Sequence, residues 1–278
     1  MPTPLGNLRD ITTRALDALR DCDVVVAEDT RVARRLLSAY GIAGKPLLSY
    51  REQNAAAATA EILRRAATGL VAVVTDAGTP GVSDPGRELI VAARAAGVPV
   101  EVLPGPVAFV CAAVLSGFDL TGLEFGGFVP RAADQRDAAL RRALARAGAT
   151  AWYESPQRVV ATLEAIALLA PAARVFVARE LTKAFEQQIL ATPAAALAAL
   201  ERPVRGEIVL VLEPPPQVPA ARESAAAGAL DAAIDALLDL GLSVADVAKA
   251  LASSAAGGRS EAYARAAERK RGRGDGNP

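Results

Sequence analysis

The stretch VVTDAGTPGVSDPG, Val73 to Gly86, decides how the rest of the chain is read. A β-branched apolar run stops there at two carboxylates, three glycines and two prolines. The next segment, GRELIVAARAAG from Gly86 to Gly97, has helical period and closes on a glycine suited to a left-handed cap. Strand, loop and helix in that order are the unit of an open α/β sheet, and the loop falls at the carboxyl end of the strands, where such sheets bind ligands. Glycines let the backbone approach a ligand, and prolines fix the loop without donating a hydrogen bond. Neither GxGxxG after a strand nor GxxxxGK[ST] occurs, so a ligand without phosphate fits better than a dinucleotide or triphosphate. Two further loops share this character: PTPLGN, Pro2 to Asn7, and LPGPVA, Leu103 to Ala108.

Outward from that loop, β-branched runs alternate with Ala/Leu-rich helical segments. Strands are expected at Val24–Ala27, Pro46–Ser49, Leu70–Thr75 and Pro99–Leu103, with a helix running from a Thr30 cap to Gly41. After FGGFVPRAADQRD, Phe125 to Asp137, the alternation restarts with strands at Thr150–Glu154, Arg174–Arg179, Glu186–Ala191 and Glu207–Leu212. The link into Glu186 is too short for a crossover helix, which implies an antiparallel hairpin and a mixed second sheet. EPPPQVPAARES reads as a stiff proline-rich linker. ALDAAIDALLDLG, SVADVAKALASSAAG and RSEAYARAAERKRGR then suggest three short helices, about the size of a helix-turn-helix module. The expected organisation is an α/β domain over 1–126, a second over 127–213, a linker over 214–224 and a helical module with a basic tail over 225–278.

Composition narrows the chemistry. With 278 residues, 52% of them apolar, the chain can bury one large core or two modest ones, and its zero net charge gives no global field for nucleic acid. It has no histidine, which excludes Ser-His-Asp hydrolysis, a histidine base and imidazole-bound metals. Cys22 and Cys111 have no CxxC spacing and read as core residues in a reducing compartment. The longest apolar run, Val159 to Ala178, is interrupted by Glu164, Pro171 and Arg174, and the first residues do not read as a leader, so a cytoplasmic location without membrane contact is expected.

TPLGNLRDIT, AEDTR, TDAGTPGVSDPG, LPGPVA, FVPR, WYESPQR and ARELTK, in this order, resemble the tetrapyrrole methylase family of S-adenosylmethionine-dependent enzymes, and its rRNA-modifying branch in particular. The resemblance covers nearly the whole chain. It implies a two-domain tetrapyrrole-methylase-like α/β fold, with a mostly parallel first sheet, a mixed second sheet and a small helical module, paired as a homodimer. It implies S-adenosylmethionine in the cleft between the domains, touching Pro4, Leu5, Gly78, Thr79, Val82, Val107 and Ala108 from the first domain and Tyr153, Glu154 and Leu181 from the second. The family's GDP tripeptide stands here as Gly78-Thr79-Pro80, and Asp76 or Asp84 is free to replace the missing aspartate. The implied reaction is 2'-O-methylation of a cytidine ribose in 16S rRNA, at the decoding centre of the small ribosomal subunit.

A ribose hydroxyl needs deprotonation or alignment before it attacks. Without histidine, the base is a carboxylate, a lysine, a tyrosine or water. The candidates are Glu28 and Asp29 in AEDTR and Glu180 and Lys183 in RELTK, with Arg31 and Arg179 steering the RNA phosphate. The same residues also fit plainer roles: a helix start with Thr30 as cap, a solvated strand end, core aromatics in WYES, a solubilising tail in RKRGRGDGNP. Two other functions are compatible with the sequence. One is a small-molecule or diphthamide-precursor methyltransferase of the same fold, the other a non-catalytic RNA-binding protein. Only Met1 precedes PTPLGN, so as the sequence is written the first sheet is expected to lack a strand, through a misassigned or truncated start.

Overall fold

The run VVVA forms β1 (Val24–Ala27), buried along its whole length. A central parallel strand is covered on both faces and needs apolar side chains at every position. In the computed structural model, which describes residues 1–84, 86–215, 219–252 and 258–274, apart from the side chains of 52, 219–227, 261 and 272–274, β2 (Leu47–Ser49) and β3 (Val71–Val74) flank it in the order β2-β1-β3. Both pairings are parallel. Val25 and Ala27 pack with Leu19 of α1 (Thr13–Asp21) and with Ala33 and Leu37 of α2 (Thr30–Ala39). Val26 points the other way, onto Ile62 of α3 (Ala55–Ala66) and Leu89 of α4 (Arg87–Ala95).

Two expectations for this half are corrected. Asp29, not Thr30, caps α2, its carboxylate accepting from the Arg31 N–H at 2.8 Å. Pro99–Leu103 joins no sheet, and Val100 and Val102 stay exposed. The reason is at the outer edge of β3. It is met by the chain's first residues, with the Met1 ammonium donating to the Val73 carbonyl at 2.7 Å, so the 99–103 segment has no ladder to join.

The second sheet runs β4-β5-β8-β6-β7, comprising β4 (Glu124–Phe128), β5 (Thr150–Glu154), β6 (Arg174–Arg179), β7 (Gln187–Ala191) and β8 (Ile208–Glu213). Only β4 and β5 pair in parallel; the other contacts, including the expected β6–β7 hairpin, are antiparallel. The period-two alternation of a strand sorts its residues. Trp152, Val175, Val177, Leu210 and Leu212 face one core, with α7 (Val159–Leu169) contributing Leu163 and Ile166. Ala151, Phe176, Ala178, Val209 and Val211 face the other, where Ala112 of α5 (Ala108–Ser116) packs. Helix α5 follows the LPGPVA loop, so one helix ties that loop to the second sheet. Strand β4 was not anticipated, and a division at 126/127 falls inside it. Its sequence EFGGF carries two glycines, which weaken a strand signal, yet Gly126 is needed because any Cβ there overlaps the Trp152 indole.

Two helices, α6 (Ala133–Leu144) and α8 (Pro193–Ala199), add Leu140, Ala143 and Ala196 to the first of these cores. The chain divides into compact units at Pro215/Pro216. The second unit holds α9 (Pro219–Asp239), α10 (Val244–Ala250) and α11 (Gly258–Gly274) around Leu230, Ile234, Val247, Ala248, Ala262 and Ala266. Because α9 begins at Pro219, it takes up part of the expected 214–224 linker, of which residues 216–218 lie outside the described residues. Arg269, in the basic stretch, pairs with Asp231 and Asp235, so part of that charge is internal to the unit; residues 275–278 lie outside the described residues. Both cysteines are free, and among the described residues no helix is long and apolar enough to cross a membrane and no metal-ligand cluster occurs.

Candidate active site

The three glycine-proline loops are bonded to one another. Thr3 and Gly78 exchange backbone hydrogen bonds at 2.8 and 3.1 Å, and the Thr3 hydroxyl donates to the Thr75 carbonyl at 3.2 Å. The Thr79 hydroxyl donates to the Pro106 carbonyl at 3.0 Å, and Gly105 lies so close to Pro2 that a Cβ would overlap its ring. Gly78 takes a φ of +78°, a left-handed conformation that glycine adopts without strain. Across from them, the turn after β6 holds Glu180 and Thr182 at positive φ, and the Thr182 hydroxyl accepts from the Asn7 N–H at 3.1 Å. The first loop thus touches both halves of the unit.

These elements enclose a cavity of about 450 Å³, in the range of small-molecule sites. Apolar walls come from Leu5, Val82, Val107, Phe128, Leu181 and Ile208. Tyr153 stands on edge against Phe125 and Phe128, at 5.0 and 5.6 Å between ring centres, and Phe125 stacks on Phe109 at 4.1 Å. Glu28, Asp76, Asp84 and Glu207 also face the cavity, and no Lys or Arg is among its lining residues. Burial and then the neighbouring carboxylates Glu28, Asp76 and Glu207 push Asp84 up to about 6. Burial raises Glu28 as well, with Asp76 adding to it and Arg51 opposing. Tyr153 is raised, chiefly by burial and then by Asp84 and Glu207 among its charged neighbours.

Nine of the residues expected at a cofactor line this cavity: Leu5, Gly78, Thr79, Val82, Val107, Ala108, Tyr153, Glu154 and Leu181. Pro4 is buried and does not line it. Glu154 is there as an anchor, because its buried carboxylate accepts from Ser155 N at 2.7 Å and Thr162 Oγ1 at 2.6 Å and pairs with Arg158 at 2.6 Å. Of the four expected catalytic groups only Glu28 faces the cavity. Asp29 is held far below the carboxylate range by hydrogen bonds from the Arg31 side chain and backbone. Glu180 accepts from Lys183 Nζ and Glu207 N, both at 2.9 Å, and these bonds outweigh burial to lower it. Lys183 bridges Glu180 and Glu207; its partners outweigh burial and keep it protonated.

Arg31 is exposed beside Asp29 at the start of α2, while Arg179 is mostly buried and bonded to Gln187 and Glu201. Glu207, Phe128 and Ser155 were not anticipated. Glu207 had one legible cue, a charged residue after a glycine at the mouth of a strand.

The sequence matches the family description Tetrapyrrole (Corrin/Porphyrin) Methylases over residues 2–198. It is 42% identical over 216 residues to Ribosomal RNA small subunit methyltransferase I of a Hydrogenobaculum species, covering 76% of this chain and 93% of that one. The protein of the same name from Neisseria meningitidis serogroup B is 43% identical over 216 residues, covering 76% of this chain and 74% of the relative. Among solved structures, uroporphyrin-III C-methyl transferase from Thermus thermophilus, complexed with S-adenyl homocysteine, superposes with a TM-score of 0.53 at 20% identity, over 76% of this chain and 94% of the other.

Proposed function

Because the chain belongs to the tetrapyrrole methylase family and is a methyltransferase, we propose that it moves a methyl group from S-adenosylmethionine to the 2'-hydroxyl of a cytidine ribose in 16S rRNA, at the decoding centre of the small ribosomal subunit. The observation that carries the cofactor is the cavity itself. Three cross-bonded loops present backbone amides and carbonyls, the walls are apolar, and the charged edge is acidic with no cation lining it. A triphosphate would be repelled there; a ligand bearing a sulfonium is favoured. When bound, the cofactor supplies an activated methyl group on that cationic sulfur.

Leu5, Gly78, Thr79, Val82, Val107 and Ala108 hold it from the first half of the unit. Tyr153 and Leu181 close it from the second, and Glu154 fixes the turn that carries Tyr153 by bonding Ser155, Thr162 and Arg158. Arg31, exposed at the start of α2 and paired with Asp29, is the residue that meets an RNA phosphate in this reading. The rRNA substrate rests on the names of the relatives at 42 and 43% identity. A homodimer fits the exposed Val110, Val114 and Leu115 on α5 and is checked by sedimentation.

The deciding assay incubates the protein with methyl-labelled S-adenosylmethionine and small subunits lacking the modification, then maps label in the rRNA by mass spectrometry. Label on one cytidine ribose is expected. Cofactor binding without transfer to any subunit RNA would transfer the proposal to another acceptor class.

A further inference from the structure

The groups first expected to take a proton are mostly spent. Asp29 is paired with Arg31 and caps α2; Glu180 and Lys183 neutralise each other beside Glu207; none of the three lines the cavity. Glu28 does, but Arg51 lies over it, donating from Nε to the Glu28 carbonyl at 2.9 Å and drawing its carboxyl toward the ionised form. Asp84 is in a different position. It is half-buried, lines the cavity from the loop after β3, and among the described residues the charged groups that act on it are carboxylates: Glu28 at the end of β1, Asp76 after β3 and Glu207 before β8. Across the cavity from that loop stands the Tyr153 phenol of β5, and Lys183 is engaged by Glu180 and Glu207. The residue before it, Ser83, is held at a φ of +64°, a strained conformation for a residue with a side chain and one that accumulates at functional sites.

Resting on the methyl-transfer reading above, we propose that Asp84 is the general base that accepts the proton of the substrate hydroxyl. The proton passes to an Asp84 carboxylate oxygen as the substrate oxygen's electron pair forms the new O–C bond. The C–S bond of the methyl donor breaks with its pair going to sulfur, which leaves as a neutral thioether, and Asp84 returns the proton to solvent. Its elevated affinity for protons suits the role, because a base titrating near the working pH gains the most from transfer. The four-carboxylate edge keeps it there, and loss of the donor's positive charge on transfer removes the attraction that held the cofactor against that edge.

Two measurements test this, both on the full chain. In the first, carbonyl-labelled aspartate is followed by NMR in the unliganded protein, with the Asp84 resonance assigned by its absence in Asp84→Asn; a midpoint near 6 is expected. A midpoint below 4.5 overturns the proposal whatever the substrate is. In the second, kcat for transfer to small subunits is measured across pH 5 to 9. The wild type is expected to rise through pH ~6 to a plateau; Asp84→Asn is expected to lose roughly 10²- to 10⁴-fold in kcat at saturating cofactor and the acidic limb with it, while Glu28→Gln keeps the limb and shifts it to lower pH. Asp84→Asn retaining kcat within about tenfold with the limb intact overturns the assignment. A wild type that fails on subunits but shows the midpoint near 6 counts against the rRNA reading and supports the poised base.

Discussion

Asp84 shows how a single side chain reports its surroundings. Its carboxyl is raised from an unfolded value near 3.8 to about 6 in the folded protein, so the folded state binds the proton more tightly. Stability is therefore full below pH ~4 and falls as pH rises through ~6, on the order of 2 kcal/mol for this group alone. Asp84→Asn is expected to equal the wild type near pH 3.5 and to exceed it in denaturant titrations at pH 8. Equal stability at both pH values would mean that the carboxylates around it are screened. Glu154 makes the opposite case. Its carboxylate is fully buried but has Arg158, Ser155 N and Thr162 as partners. Arg158→Ala leaves that charge buried without its cation and is expected to cost about 3 kcal/mol, seen as a lower Tm. Neither environment is legible in the sequence, since Asp84 gathers Glu28, Asp76 and Glu207 from three separate segments and Glu154 takes Ser155, Arg158 and Thr162 only once the following turn and helix fold back on it.

At the scale of elements, the site depends on contacts between loops. Gly105 accommodates the Pro2 ring and Gly78 pairs with Thr3, so the first loop is seated by the other two. Gly105→Ala is expected to displace Pro2 and weaken S-adenosylmethionine binding by about tenfold in calorimetry, the consequence of one to two kcal/mol of overpacking. Unchanged affinity would show that the first loop plays no part in holding the cofactor. The glycine-proline loops were visible in the sequence because their residue types are rare inside regular elements and follow apolar runs. Strand β4 was not, because EFGGF has little strand propensity and forms only by pairing with β5 and lying on Trp152. The opposite error occurred at Pro99–Leu103. That run has the composition of a strand, but pairing needs an available edge, and the edge of β3 is met by the first residues of the chain.

At the scale of the whole molecule, the residues facing the cavity all belong to Met1–Pro215, while Pro216–Pro278 has a core of its own. Ile234, fully buried in that second core, is the place to separate the two. Ile234→Ala is expected to destabilise the helical unit by roughly 2–5 kcal/mol while cofactor affinity stays within twofold, with unfolding followed by circular dichroism and binding by calorimetry. A matching loss of affinity would join the helical unit to the cavity. Charge also divides at this scale. The chain is neutral in sum, yet its cavity is lined by acids and its α2 surface carries Arg31, Arg34 and Arg35. A protein meeting RNA with one face and a cationic cofactor with another needs that division more than it needs a net charge.

The sequence by itself determined the alternation of strands and helices, the glycine-proline loops that border the cavity, the antiparallel hairpin and the absence of histidine chemistry, because these follow from local residue types and their period. It also carried the family, through motifs spread over most of the chain. Tertiary structure alone decided which of the charged residues are free to act. Asp29, Glu180 and Lys183 sit in motifs as suggestive as the one holding Asp84, but hydrogen bonds and ion pairs neutralise them, whereas Asp84 faces the cavity among like charges. Proton affinity is a property of burial and neighbours, and neighbours are assigned only when distant segments meet.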